Sequence, residues 1–213
     1  MKLVILYEEL ASYFVACADH LSRNFAVEIH IIRKTPSADA PFSFRFPPAL
    51  NVYDREKLEK EGLIRLVDKI GPDAIFCGGW SNASYLDVCR TYHPRIPVWV
   101  GFDNWWTGSV MQRVKAMAAR SFFRKHFTSC FVPGSKQREL ALKLGFPEEN
   151  IFEGAYCGET SFFHHEFECN RERKKKDFPK RFIYVGRYAE EKNVDLLWQT
   201  FSRVKMELKS DWE

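Results

Sequence analysis

The sequence predicts an α/β protein: a doubly wound parallel sheet of Rossmann-like type, followed by an incomplete second domain of the same kind. Three observations carry this. Short apolar runs recur at strand length, segments of helical periodicity separate most of them, and the runs are apolar on both faces. Strands of that kind joined by helices cannot pair as hairpins, so they form a parallel sheet covered on both sides.

In chain order, strands are expected at residues 2–7, 26–32, 73–77, 97–101, 127–132, 151–155 and 181–186. Leu10, Tyr13, Phe14, Cys17 and Leu21 keep helical spacing after the first strand. Leu63, Leu66, Val67 and Ile70 do so before the third, where Gly71 and Pro72 end the helix. Tyr85, Val88, Cys89 and Tyr92 form another stripe, and Ser135 caps a short helix whose Leu140 and Leu144 face inward before Gly145. Residues 33–53, with Pro36, Pro41, Pro47 and Pro48 among Phe42, Phe44 and Phe46, read as a surface loop around one short strand.

After Phe163 the character changes. Residues 166–180 are polar and carry Arg171, Arg173, Lys174, Lys175 and Lys176, which reads as a linker between a first domain at 1–165 and a second beginning at 181. Residues 181–213 then offer one strand and one helix, the latter with Val194, Leu197, Phe201, Val204 and Leu208 on one face. A lone strand and helix of under about 40 residues cannot bury their own apolar faces. They are expected to open a second domain.

The formal charge is +4, too small to point to nucleic acid as the main partner. The cysteines Cys17, Cys77, Cys89, Cys130, Cys157 and Cys169 form no CxxC pair, and Cys77 and Cys130 sit inside strand-like runs; free thiols in a reducing compartment are expected. The apolar start of the chain is cut off by Glu8 and Glu9, too short for a signal peptide or a membrane span. A cytoplasmic protein is expected, with peripheral attachment to the inner face of a membrane open. His164 and His165 lie near Cys157 and Cys169 without a zinc spacing, so no metal site is expected.

In open parallel sheets ligands sit beyond the carboxyl ends of the strands. There the sequence places Gly78, Gly79, Trp80, Ser81 and Asn82, and at the next strand Gly101, Phe102, Asp103, Asn104, Trp105, Trp106, Thr107 and Gly108. Two readings fit. Indoles stack on pyranose faces while a carboxylate and amides meet hydroxyls, a sugar platform; or the tryptophans cap a core edge and Asp103 caps a helix. Further on, residues 185–193 combine a glycine turn, Arg187 and Lys192 ahead of a helix. A helix amino end with nearby cations suits a diphosphate. The alternative pairs Arg187 and Lys192 with Glu190 and Glu191 at a solvated turn.

Residues 182–204, FIYVGRYAEEKNVDLLWQTFSRV, closely resemble the start of the C-terminal domain in glycosyltransferase family 4. Residues 130–163 resemble that family's interdomain region, with Gly158, Glu159, Thr160 and Phe163 where the family often has Gly-Val-Asp and Phe. The N-terminal domain matches only in its order of elements. The resemblance implies the GT-B architecture of two facing Rossmann-like domains, donor on the C-terminal one and acceptor on the N-terminal one. It also implies transfer with retention of configuration, a nucleotide-diphosphate sugar as substrate, and neither an obligatory metal nor a separate cofactor.

By that carry-over Gly186, Arg187 and Lys192 bind the donor, Asp103 is the catalytic candidate in contact with the acceptor, and Trp80, Asn104 and Trp105 bind the acceptor. The implied role is transfer to a glycan or lipid-linked acceptor in cell-surface polysaccharide synthesis. Two departures stand out: Glu8, Glu9 and Leu10 replace the family's glycine-rich turn, and Asn193 stands where glycine is usual. The family's paired glutamates would lie beyond residue 213, so the chain is expected to be a fragment or a truncated reading frame with little transferase activity alone. A sugar-nucleotide epimerase of similar architecture, or a non-catalytic acceptor-binding or partner subunit, are the other classes left open.

Residues 107–126 carry Arg113, Lys115, Arg120, Arg124 and Lys125 with no acidic residue, and Val110, Val114, Met117 and Ser121 share a face. Such a helix either settles on an anionic membrane surface or lays its apolar side on the sheet.

Overall fold

The computed structural model describes all residues except 36–44, 59, 94, 155–156, 187 and 210. The chain divides into two compact units, Met1–Glu159 and Thr160–Glu213.

Among the described residues, the first unit holds a seven-stranded sheet with every neighbouring pair parallel. Its strands are β1 (Lys2–Tyr7), β2 (Glu28–Arg33), β3 (Leu50–Asp54), β4 (Ala74–Cys77), β5 (Val98–Gly101), β6 (Ser129–Val132) and β7 (Ile151–Glu153), in the order β3-β2-β1-β4-β5-β6-β7. The helices are α1 (Ser12–Phe25), α2 (Lys60–Ile70), α3 (Ala83–Tyr92), α4 (Val110–His126) and α5 (Ser135–Leu144). Strand β3 is the short strand inside the segment expected to be a loop. Its proline-rich neighbours Pro36 and Pro41, with Phe42 and Phe44, lie outside the described residues.

Strand alternation sorts the core into two layers. Val4 and Leu6 of β1 join Ile75, Val98, Val100 and Val132 beneath α2, α3, α4 and α5. Ile5 faces the other way, with Ile29 and Ile31 of β2 beneath Val15 and Ala18 of α1. Each fully buried Leu, Ile or Val contributes about 1.5–3 kcal/mol.

The sheet is not covered evenly. The connections from β3 through α2 to β4, and onward to β7, all advance in one direction, so right-handed crossovers lay their helices on one face. The step from β1 to β2 runs the opposite way and puts α1 on the second face. Among the described residues of this unit, no other helix lies there. Phe76, Trp99, Phe131 and Phe152 therefore form an aromatic floor, Phe131 and Phe152 being 39% and 42% exposed. Trp99 stacks on Phe152 at 4.5 Å between ring centroids. Rings also lie over glycines of the next strand: a Cβ on Gly78 would come 2.5 Å from the Tyr7 ring, and one on Gly101 2.5 Å from the Phe76 ring. Only glycine permits those approaches.

The second unit contains α6 (Thr160–Lys176) and α7 (Val194–Glu207). Residues 166–176, expected as linker, are helical. No side chain of α6 is buried, so it shows no apolar stripe; ion pairs one turn apart support it instead, Lys175 with Glu172 at 2.7 Å and Arg171 with Glu168 at 3.6 Å. The basic run at its carboxyl end complements the helix dipole. His164 and His165 are on this helix rather than on extended chain, and His165 Nε2 lies 3.5 Å from Cys169 Sγ.

Residues 181–186, expected as a strand, form none. A strand needs a neighbour, and among the described residues the backbone pairing here is with the last residue: Phe182 N–H donates to Glu213 O at 2.6 Å and Glu213 N–H to Lys180 O at 2.7 Å. Lys180 also pairs with Asp211, whose carboxyl it holds below the usual carboxylate range. Phe182 stacks on Phe201 of α7 at 5.3 Å, and Val194 is buried, while Ile183, Val185, Leu196 and Leu208 are exposed.

Candidate functional site

Strand order reverses between β1 and β4, which pair with each other although β2 and β3 intervene in the chain. The crevice beyond the carboxyl ends of such strands is where open α/β sheets bind ligands. Here Glu8 follows β1, and the run from Gly78 to Asn82 follows β4. The Asn82 carbonyl oxygen Oδ1 accepts from the N–H groups of Ser84 (2.9 Å) and Tyr85 (3.2 Å), capping α3. Its Nδ2 donates to Glu8 Oε1, so one side chain joins the two loops.

The Tyr85 hydroxyl is 3.2 Å from both Tyr7 O and Ile32 O, tying α3 to the ends of β1 and β2. Burial, with the Glu8 carboxylate nearby, pushes that phenol well above its ordinary value. It stays a neutral donor.

The loop after β5 is pinned from several sides. Gln137 Nε2 of α5 donates to Asp103 O at 3.1 Å, and the Trp106 N–H reaches Lys136 O at 3.4 Å. Gln112 of α4 donates to Trp105 O at 2.9 Å and accepts from Thr107 N–H at 2.7 Å. Ser109, not Asp103, caps α4, accepting from Gln112 N–H at 3.3 Å.

These ties leave Asp103, Asn104 and Trp105 exposed, Trp105 by 58%. Trp80 differs. It is half-buried, edge-on to Phe102 (5.2 Å) and Phe123 (5.1 Å), and packs against the core. The structure thus divides the two readings of this segment: Trp80 caps a core edge, and Asp103, Asn104 and Trp105 present a carboxylate, an amide and an indole to solvent.

Trp80, Asp103 and Asn104 border a cavity of about 1020 Å³ that runs along the open face of the sheet, with Tyr13, Phe14 and Cys17 of α1 as a wall. Cys17 Sγ lies 3.2 Å from Cys157 Sγ, both free and exposed. Burial, then the Cys157 contact, pushes the Cys17 thiol up to about 11.

The residues assigned to the donor belong to the second unit. Arg187 lies outside the described residues. Gly186 passes so close to Tyr184 that a Cβ would come 2.6 Å from the hydroxyl. Glu190–Lys192 form a single 3-10 turn that runs into α7 through Asn193 at φ 48°, the left-handed conformation that asparagine tolerates as glycine does. Among the described residues, no side-chain hydrogen bond caps the amino end of α7. Lys192 is exposed, and among the described residues it makes no ion pair with a carboxylate.

Sequence reasoning did not find the Glu8–Asn82 tie, Gln112 and Gln137 as loop anchors, or the Cys17–Cys157 contact. Only Asn82 left a signal, an asparagine just ahead of a helical stripe.

No protein-family model matches the chain, and no curated protein is similar to it in sequence. Solved structures are similar in fold. UDP-GlcNAc 2-epimerase of Neisseria meningitidis bound to UDP-GlcNAc superposes with a TM-score of 0.50 at 10% identity, over 84% of this chain and 53% of that one. UDP-N-acetylglucosamine 2-epimerase of Rickettsia bellii gives 0.50 at 13%, over 97% and 59%. Anabaena Alr3699/HepE in complex with UDP gives 0.56 at 9%, over 97% and 67%.

The fold is GT-B-like. The chain spans only 53% and 59% of the length of the two epimerases. At this identity the likeness is one of architecture. It does not single out glycosyltransferase family 4.

Among the described residues, no helix is long and apolar enough to cross a membrane.

Proposed function

We propose that the chain supplies the acceptor-side domain, and the opening of the donor-side domain, of an enzyme that acts on a nucleoside diphosphate sugar. The reaction is transfer of the sugar to a glycan or lipid-linked acceptor with retention of configuration, in cell-surface polysaccharide synthesis on the cytoplasmic side. The observation that carries this is the exposed trio Asp103, Asn104 and Trp105 on a loop anchored by Gln112 and Gln137, at the carboxyl edge of a parallel sheet.

An indole face holds a pyranose by stacking, while the carboxylate and amide fix its hydroxyls. Asp103 then orients the acceptor hydroxyl for attack. The leaving diphosphate is stabilised by the amino end of α7 with Lys192 near it, and by Arg187 through the same resemblance to glycosyltransferase family 4. Retention is supported by the resemblance of residues 182–204 to glycosyltransferase family 4.

Epimerisation of a UDP sugar is the second reading, favoured by what two of the similar structures catalyse. It needs no acceptor and leaves the Trp105 edge without a task. Calorimetric titration of the chain with UDP-GlcNAc and with a methyl pyranoside separates the two. Transfer predicts a pyranoside site that Trp105→Ala or Asp103→Asn weakens at least tenfold while UDP-GlcNAc binding is unchanged. If no pyranoside binds, or if the Trp105 variant binds it equally well, the transfer reading falls.

A further inference from the structure

Helix α4 carries apolar residues on two opposite sides. At about 100° per residue, Ala116, Ala119 and Phe123 point one way and Val110, Val114 and Met117 the other. The first side is the packing side: Ala116 and Phe123 are buried, and Ala119 and Phe122 pack against the core. The sheet therefore does not receive the stripe of Val110, Val114 and Met117. That stripe faces solvent, with Val110 78%, Met111 64%, Val114 54% and Met117 62% exposed. A surface helix whose only task is to cover the sheet places polar residues there.

Charge frames the stripe. Arg113, Arg120 and Arg124 fall along one flank and Lys125 along the other, with Lys115 farther round the helix, and no acidic residue occurs from Thr107 to His126. Among the described residues none of these cations pairs with a carboxylate; Arg113 and Arg120 reach only the carbonyls of Gly108 (3.1 Å) and Lys143 (3.2 Å). Beside the stripe, a groove of about 470 Å³ between α4 and α5 is lined by Trp106, Arg113, Arg120 and Lys143, together with Glu139. Lys143 Nζ sits 5.9 Å from the Trp106 ring centre.

We infer that α4 is a docking surface for an anionic phospholipid bilayer. The stripe inserts among the acyl chains at headgroup depth, and the flanking arginines and Lys125 meet phosphates. Charge complementarity selects this occupant: cations without acids beside exposed aliphatic side chains match a negative surface with an apolar interior. The amino end of α4 continues directly from the loop of Asp103, Asn104 and Trp105, so docking brings that loop to the lipid headgroups. A membrane-borne acceptor would reach it there. The inference stands on α4 itself and does not depend on the reaction proposed above.

Cosedimentation of the chain with vesicles tests it. Vesicles of phosphatidylcholine containing phosphatidylserine are expected to pull the protein down, those of phosphatidylcholine alone are not, and raising salt from about 0.1 M to about 1 M should release it. Arg124→Glu with Lys125→Glu should weaken binding at least tenfold, and Val114→Glu with Met117→Glu should abolish it. All four positions are exposed, so the variants should keep the parent melting temperature. Equal binding to both vesicle types, no binding to either, or variants that bind like the parent would overturn the inference. So would an oligomer in lipid-free buffer that Met117→Glu dissociates, since the stripe would then serve a second copy of the chain.

Discussion

Asn82 caps α3 with its carbonyl oxygen, 2.9 Å from Ser84 N, and donates its amide to Glu8 at the end of β1, 74 positions earlier. One side chain thereby fixes both loops of the crevice where strand order reverses. Asn82→Ala removes the cap and leaves Glu8 without that donor. The cap alone is worth about 1 kcal/mol, which for a protein of this size lowers the melting temperature by about 2–4 °C. Calorimetry checks this. Asn82→Asp keeps the cap but sets a second carboxylate against Glu8, so it should restore stability at low pH and not at neutral pH.

Asp54 at the end of β3 accepts from Lys57 (2.7 Å) and pairs with Arg33 (3.2 Å). The Lys57 hydrogen bond first, and then the charges of Lys57 and Arg33, hold its carboxyl below the usual range despite some burial. A folded value below the unfolded one stabilises fully above the ordinary carboxylate range near pH 4, and the gain is lost as pH falls through the folded value. Asp54→Asn should therefore lower the urea midpoint at pH 7 and converge with the parent near pH 2. A deficit that is constant with pH would show that these pairs contribute nothing.

Cys17 is exposed enough to be reached but carries a thiol pushed up to about 11. At pH 8 only about one molecule in a thousand is the reactive thiolate. Alkylation of Cys17 by iodoacetamide, followed by peptide mass spectrometry, should rise about tenfold per pH unit until pH 11. Because burial is the leading cause and the Cys157 contact the next, Cys157→Ala should quicken the reaction only in part.

Gly101 has no room for a side chain, because a Cβ would come 2.5 Å from the Phe76 ring. Gly101→Ala should destabilise the first unit by about 1–3 kcal/mol, the usual cost of overpacking. A second change, Phe76→Leu, should recover part of it. Denaturant melts of the single and double variants give the coupling.

Much of the sheet was legible because β1, β4, β5 and β6 are apolar on both faces and bounded by helical stripes. The uneven cover on the second face was not, since it follows from crossover direction, which no local pattern encodes. Helix α6 was hidden because its stability comes from charge pairs rather than an apolar stripe, and 181–186 misled because a β-like run without a partner strand has nothing to bond with. In the candidate site, Asp103, Asn104 and Trp105 were singled out by one rule, the carboxyl ends of parallel strands. That Trp80 packs against the core edge depends on its contacts with Phe102 and Phe123, which are invisible in one dimension. The solvated stripe on α4 showed the converse: its residues were visible, and the side it presents to solvent was not.

The proposed sugar site at the end of β5 is tested most directly by indole N–H resonances, one for each of the six tryptophans. On titration with a methyl pyranoside, the Trp105 resonance should move saturably while those of Trp198 and Trp212 in the second unit stay in place, and Asp103→Asn should shift the midpoint at least tenfold. Should the pyranoside leave Trp105 unmoved, or perturb only the tryptophans of the second unit, the acceptor does not bind at that edge.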